Sequence, residues 1–300
     1  MYVVTGATGN TGSVVATTLL NKGLKVRVVG RNASRLQSLV PAGAEPFIAD
    51  LADRDKLKKA LDGAKAVYAM IPPNITSTDG RKYQDGITDA IAAAIEHSGV
   101  KFAVTLSSVG ADKADKTGPV VGLHNFENRI NSISGLNVLH LRAGYFMENT
   151  LAQASIIRML NGAGGPLRAD LKVPMIATRD IGAVAAETLL RLDFRGHQTR
   201  ELLGPTDLDM NQVTAIIGKA IGKADLKYVQ IPDAQVRGAL LQLGMSDNMA
   251  SLLLEMTAAL NNGHMRALEP RSKVNSTPTP FEVFVAEEFL PLYHKQTQAA

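Results

Sequence analysis

Three glycines spaced by three, Gly6, Gly9 and Gly12, follow directly on the apolar run Tyr2-Val3-Val4, and a helical pattern opens at Ser13. Strand, glycine turn and helix start, in that order, suit the phosphates of a dinucleotide. Glycine lets the backbone turn tightly and approach a pyrophosphate, and the helix start offers unpaired N–H groups at the positive end of its dipole. The spacing is G-x-x-G-x-x-G rather than G-x-G-x-x-G, and a glycine triplet alone also fits a plain loop. Its place directly behind an apolar strand favours the nucleotide reading, with Thr8, Asn10 and Thr11 completing the cradle.

A second chemical signal stands at the end of the next apolar run, residues 25–29. Sites for NAD carry Asp or Glu there to hold the ribose 2′-hydroxyl. Here the run ends Val29-Gly30-Arg31, with Arg35 one turn on. A guanidinium suits a 2′-phosphate and also stacks on adenine. NADP(H) is therefore expected over NAD, the alternative being a surface arginine at a strand end. Asp50 and Leu51 end a third run, where the carboxylate is placed to accept from an adenine amino group and Leu51 to pack the ring. Asp50 as a cap of the following helix is the competing reading.

Such loops need a sheet behind them. Residues 45–49, 66–71, 101–106 and 136–141 read as further strands, with helical stretches between, for example 56–61 and 83–98. Alternation of this kind predicts an α/β fold of Rossmann type, a doubly wound parallel sheet with helices on both faces. Ligands then sit beyond the C-terminal strand ends, where residues 6–12, Arg31, Asp50, 70–73 and 107–110 converge. Residues 1–150 are expected to form this NADP(H)-binding domain.

Residues 151–300 are expected to form a smaller, mostly helical substrate lobe, with some elements, such as 172–177, rejoining the main fold. Helices are read near 150–161, 181–192, 208–221, 233–243 and 247–261, and a short strand at 227–231. Residues 162–166 read as a glycine-rich turn. Asp180 suits the cap of the helix after it. Thr279-Pro280-Phe281-Glu282 reads as a capping box opening a last helix through about Phe289. The tail 296–300 reads as a frayed end. Met245, Met249 and Met256 lie at near-helical spacing and read as core packing; if they face the crevice instead, its ligand is flat, apolar and loosely specified.

Composition narrows the remaining classes. The chain of 300 residues is 45% hydrophobic and has no cysteine, so disulfides and thiolate chemistry are absent. A net charge of +4 over that length is mild, and no concentrated basic stripe argues for nucleic acid. No apolar run reaches a membrane span, and an apolar strand starting at residue 2 leaves no room for a signal peptide; a cytoplasmic location is the expectation. The six histidines show no ligand spacing, so no metal is expected.

With these loops placed, the chain resembles the NmrA-like group of atypical short-chain dehydrogenase/reductases. The matching words are VTGATGNTG at 4–12, VGRNASR at 29–35, AD at 49–50, SSVGA at 107–111 and LRAGYFMEN at 141–149, followed by TRDIGAVAAE at 178–187 and LLGPTDLDMNQV at 202–213. The resemblance covers most of the chain. It implies a Rossmann domain, bound NADPH or NADP and a small substrate lobe. The group holds reductases of quinones and of azo or triphenylmethane dyes. It also holds redox sensors that bind the cofactor and regulate a protein partner without turnover.

One departure is chemical. The wider superfamily uses a Tyr-x-x-x-Lys pair for proton transfer. Here Tyr145 is followed four residues on by Asn149, and Tyr83 by Ile87. Ser107 sits where a catalytic serine falls, without the tyrosine–lysine half. His124, in the region that usually holds the tyrosine, is a candidate proton donor, or a histidine satisfied at a helix start. Tyr145 and Phe146 border the nicotinamide by family resemblance, or are plain core aromatics. Ile71, Ser107, Ser108 and Val109 are expected to flank the ribose and nicotinamide. Hydride transfer to an electron-poor aromatic needs little acid from the protein. The expected activity is thus an NADPH-dependent reductase of a small apolar aromatic such as a quinone or dye, with His124 and Tyr145 as candidate catalytic residues. The alternative is a cofactor sensor.

Overall fold

The computed structural model describes residues 1–298, so the last two residues of the expected frayed end lie outside it. The first half alternates strand and helix: β1 Tyr2–Thr5, α1 Asn10–Asn21, β2 Val26–Gly30, α2 Ala33–Gln37, β3 Glu45–Ile48, α3 Arg54–Leu61, β4 Ala66–Ala69, α4 Gly80–Ser98, β5 Phe102–Ser108, α5 Val120–Asn131, β6 Asn137–Ala143 and β7 Tyr145–Phe146. Then follow α6 Gln153–Leu160, β8 Ala163–Gly165, β9 Val173–Ile176, α7 Thr178–Arg191, β10 His197–Leu202, β11 Asp207–Leu208, α8 Met210–Ala220, β12 Tyr228–Gln230, α9 Asp233–Gln242 and α10 Asp247–Asn261. The described chain closes with α11 Phe281–Phe284, a π-helical turn Val285–Phe289 and α12 Leu290–Gln298.

Seven strands form one parallel sheet in the order β10-β6-β5-β4-β1-β2-β3. The connections run outward in both directions from β1 and β4, so a crevice opens at that switch point beyond the strand ends. Both sheet faces are covered, which explains the continuous apolar runs of the central strands. One face packs Val15, Leu19, Ile181, Ala185 and Leu189 of α1 and α7. The other packs Leu57, Ile87, Ile91, Ile95, Phe126 and Ile130 of α3, α4 and α5. Caps define the helix starts. Asp53 and Asp79 accept from the third amide of α3 and α4, and Asp209 with Gln212 forms a reciprocal capping box on α8.

α7 reaches α1 closely because residue 182 is glycine: a Cβ there would stand 2.7 Å from the Thr11 carbonyl oxygen and from Val14 Cβ. The start of α1, which follows the glycine loop, is thereby positioned by a helix nearly 170 residues away in sequence.

The second half corrects several expectations. Residues 173–176 do not rejoin the main sheet: β9 pairs with β7 and β11 in a three-stranded sheet of its own. The strand that rejoins is β10, pairing with β6. Its first residues, His197-Gln198-Thr199, are exposed, as an edge strand permits, so they carry no apolar alternation. The glycine-rich stretch at 162–166 contains a strand, β8, paired with β12. Glycine is needed at 164, where a Cβ would meet the Val229 carbonyl oxygen at 2.9 Å. Asp180 caps no helix, since α7 already begins at Thr178. Its carboxylate accepts from Thr279 N at 3.0 Å and Thr279 Oγ1 at 2.7 Å, and α11 starts behind Pro280 without a side-chain cap. The expected capping box is replaced by this buried tie, and the final helix runs on past Phe289 to Gln298.

Candidate functional site

At the end of β1 the chain turns through Gly6, whose φ of +60° suits glycine. Gly9 N donates to Gly6 O at 2.9 Å and closes the loop. A Cβ on Gly12 would stand 2.3 Å from that same Gly6 oxygen, so the start of α1 sits directly on the strand end. Gly9 is the N-cap of α1 and supplies no side-chain acceptor, leaving the first-turn amides uncovered on the side where Gly9 and Asn10 are exposed and Thr8 half-buried. Thr11 turns the other way: it is buried and accepts from the Tyr68 hydroxyl at 2.8 Å. Its contribution to a ligand is confined to its backbone N–H.

Arg31 and Arg35 are exposed beyond β2. Asn32 between them caps α2 by accepting from Arg35 N at 3.0 Å. Arg31 Nη1 lies 3.9 Å from Asp50 Oδ2, an open contact in solvent that is energetically slight. Asp50 does not cap α3, a position taken by Asp53; its Oδ1 accepts from Ala52 N at 2.9 Å in a local turn. Leu51 is 5% exposed and belongs to the core under α3 and α4, which leaves little of it for a ring. Tyr83 of α4 stands near Arg31 and Asp50, with its hydroxyl raised above the ordinary value mainly by burial.

The strand ends open into a cavity of about 610 Å³ that brings together Ile71, Ser107, Ser108, Val109, Tyr145 and Phe146. Its far wall is built by α10 and the segments on either side. Met245, Met249 and Met256 line it, with Met70 and Met265, so the expected core role of the stripe is corrected to a cavity wall. The reason lies in how α10 is mounted. Ser246 N donates to Ile75 O at 2.9 Å and Asn248 Oδ1 accepts from Gly80 N at 2.8 Å, which holds α10 across the segment following β4. Tyr83 and Met265, also on this wall, carried no motif that would single them out in the sequence.

Ser107 is not available to a ligand as a free hydroxyl. It donates to Glu127 Oε1 at 2.5 Å, while Arg142 donates to both oxygens of Glu127 at 3.0 and 2.6 Å. Glu127 is buried and Arg142 half-buried, and the hydrogen bond to Glu127 raises Arg142 above its ordinary value.

His124 does not line the cavity. On α5 it points across to the segment after β5: Nδ1 lies 2.9 Å from Ala111 O and Nε2 2.9 Å from Asn128 Nδ2. The arrangement fits a neutral ring that donates from Nδ1 and accepts at Nε2. Leu123 and Val120 take the inward positions of the same helix. The expectation that His124 faces a substrate is therefore corrected. Tyr145 does face the cavity, and burial pushes its hydroxyl up to about 12. It stays protonated at neutral pH, which makes it a hydrogen-bond donor and a poor proton shuttle. Asn149 also lines the cavity. Among the described residues no cluster of His, Asp or Glu is set to hold a metal, and no helix is long and apolar enough to cross a membrane.

With this geometry in view, comparison with known proteins gives consistent neighbours. A sequence profile of the NmrA-like family matches residues 2–290. The chain is 26% identical over 264 residues to the uncharacterized oxidoreductase YesF of Bacillus subtilis, covering 87% of this chain and 85% of that protein. The NADPH-dependent quinone oxidoreductase QOR2 of Escherichia coli, solved with NADPH, superposes with a TM-score of 0.81 at 25% identity, over 96% of this chain and all of that one (100%). The triphenylmethane reductase of Citrobacter sp., solved with NADP(H), shares the fold with a TM-score of 0.78 at 18% identity, over 96% and 99% of the two chains.

Proposed function

The chain belongs to the NmrA-like family, and we propose that it is an NADPH-dependent reductase of electron-poor aromatic acceptors such as quinones or dyes. The observation that carries this reading is the apolar, methionine-walled cavity that begins at the strand ends next to the glycine loop, in a chain without a Tyr-x-x-x-Lys pair. The residues present fit the cofactor: the glycine loop leaves the helix-start amides uncovered, and two arginines stand where a 2′-phosphate would be held. The similarity to the Escherichia coli quinone oxidoreductase points the same way.

In this reading the backbone of Gly6, Gly9, Gly12 and Thr11, with Thr8 and Asn10, holds the pyrophosphate. Arg31 and Arg35 take the 2′-phosphate, and Asp50 meets the adenine with marginal help from Leu51. Ile71, Ser108 and Val109 flank the ribose and nicotinamide beside the Ser107–Glu127 bond, and Tyr145 and Phe146 wall the acceptor. Bound NADPH supplies the hydride. The protein excludes water with its apolar wall and fixes the approach of the acceptor. The Tyr145 hydroxyl donates a hydrogen bond to an acceptor oxygen, and the anion left by hydride transfer to a quinone takes the one proton that completes the quinol from water. His124 serves only to hold the segment at Ala111.

The test is NADPH oxidation followed by absorbance over a panel of quinones and dyes, beside a direct binding titration of NADPH and NADH. Steady turnover with one acceptor class supports the reductase. Tight NADPH binding with no turnover across the panel would overturn it in favour of a cofactor sensor.

A further inference from the structure

The wall of the cavity is electrostatically lopsided. Three of its residues are charged, Lys172, Arg266 and Asp207. Asp207 is already neutralised by an ion pair with Arg271. Among the described residues, Lys172 and Arg266 meet no carboxylate within ion-pair distance. Both are exposed, so they stand on the open side of a cavity whose interior is methionine, proline, leucine and aromatic side chains.

The backbone carrying each cation is held. Lys172 immediately precedes β9, where Val173 pairs with Leu208. On one side of Arg266, the buried Met265 donates its N–H to Ala259 O at 2.9 Å. On the other, the Glu201 carboxylate accepts from Leu268 N at 2.9 Å and Glu269 N at 2.8 Å. Glu201 is itself buried in β10, so the strand that joins the main sheet also anchors the segment bearing Arg266. Both cations come from the second half of the chain, apart from the glycine loop and from Arg31.

An apolar cavity disfavours an anion unless a counter-charge meets it. Two uncompensated cations at the mouth meet that need, and they disfavour a cationic ligand equally. We propose that Lys172 and Arg266 form an anion-recognising rim, and that the preferred ligand of this cavity is a flat aromatic bearing an acidic substituent, a sulfonate or a carboxylate. The inference rests on the reading of this cavity as the acceptor site.

Two fluorescent probes separate the charge from the ring: anilinonaphthalene sulfonate and its uncharged parent, phenylnaphthylamine. Each is titrated into the full chain with saturating NADP, which keeps the probes out of the cofactor crevice. The sulfonate should bind about tenfold more tightly than the parent, the worth of two partly screened ion pairs. The double variant Lys172→Met with Arg266→Gln should close that gap, as should high salt, and leave the parent's affinity unchanged. Equal binding of the two probes, a gap that survives the double substitution, or no binding of either overturns the rim. NADPH oxidation over the full panel of quinones and dyes, acidic and neutral members alike, is run in parallel and tests the reductase separately. A sulfonate preference with no turnover of any acceptor in the panel sinks the reductase and leaves the rim; turnover without the preference does the reverse.

Discussion

Ser107 and Glu127, twenty positions apart in sequence, share a 2.5 Å hydrogen bond at the edge of the cavity, and Arg142 holds the far side of the same carboxylate. The serine at the end of β5 thus supports an ion pair that ties α5 to β6. Ser107→Ala should cost about 1.5–3 kcal/mol of stability, the worth of a hydrogen bond to a charged group, and leave turnover within a few-fold of the parent. Glu127→Gln should cost roughly 1.5–3 kcal/mol, because the half-buried Arg142 loses its charged partner. Denaturant titration beside steady-state kinetics decides; a hundredfold loss of kcat in Ser107→Ala would make the hydroxyl a participant in catalysis.

Arg31 is the residue expected to read the 2′-phosphate. Arg31→Asp should weaken NADPH by roughly 10–100-fold, the worth of a charged hydrogen bond, and barely change NADH. Equal losses for both cofactors in a binding titration would remove the assignment.

The glycine loop depends on the helix packed behind it. Gly182→Ala brings a Cβ to 2.7 Å from Thr11 O. It should cost about 1–3 kcal/mol by overpacking and lower NADPH affinity by displacing the start of α1. Gly238→Ala on α9, where a Cβ meets nothing within 4 Å, should instead gain roughly 0.5–1 kcal/mol from helix propensity. A cofactor affinity in Gly182→Ala equal to that of the parent would uncouple the two helices.

His140 is fully buried between Thr105 Oγ1 at 2.6 Å and Asn131 Oδ1 at 3.0 Å, and burial lowers it to about 4. The unfolded chain takes up that proton near pH 6.5, so the neutral ring's contribution is complete above about pH 6.5 and is lost as pH falls toward 4. By about pH 5 the loss should reach about 2 kcal/mol. Denaturant unfolding at neutral and mildly acid pH should give a shallower acid loss in His140→Gln than in the parent. Parallel pH dependences would exclude the histidine as the cause.

Tyr145 holds its proton up to about pH 12. Tyr145→Phe should therefore lower kcat/KM by no more than about tenfold, the worth of one neutral hydrogen bond. It should also leave the pH profile between about 6 and 9 unchanged. His124→Ala should leave kcat within roughly twofold, since its ring bonds to Ala111 and Asn128 away from the cavity. An inflection near the histidine range that vanishes in His124→Ala would restore it as a proton donor.

Local signals carry far in this chain. Tyr2-Val3-Val4 and its glycines, the buried strands of the first half, and Arg31 in place of an acid are all statements about neighbouring residues. Backbone freedom and apolar periodicity encode them directly. The helices α8 and α10 were legible for the same reason. The tertiary structure alone decided contacts between residues distant in sequence. It turned Thr11 inward onto Tyr68, gave Ser107 to Glu127, drew His124 off the cavity, and bound Thr279 to Asp180 where a cap was expected. It placed the polar strand β10 at the sheet edge, where exposure removes the alternation that marks a strand. It also turned Met245, Met249 and Met256 toward an open cavity. Helical spacing puts Met249 and Met256 on α10, with Met245 just ahead of its cap rather than on the helix, but does not say what they meet; only the packing of α10 against the end of the sheet does.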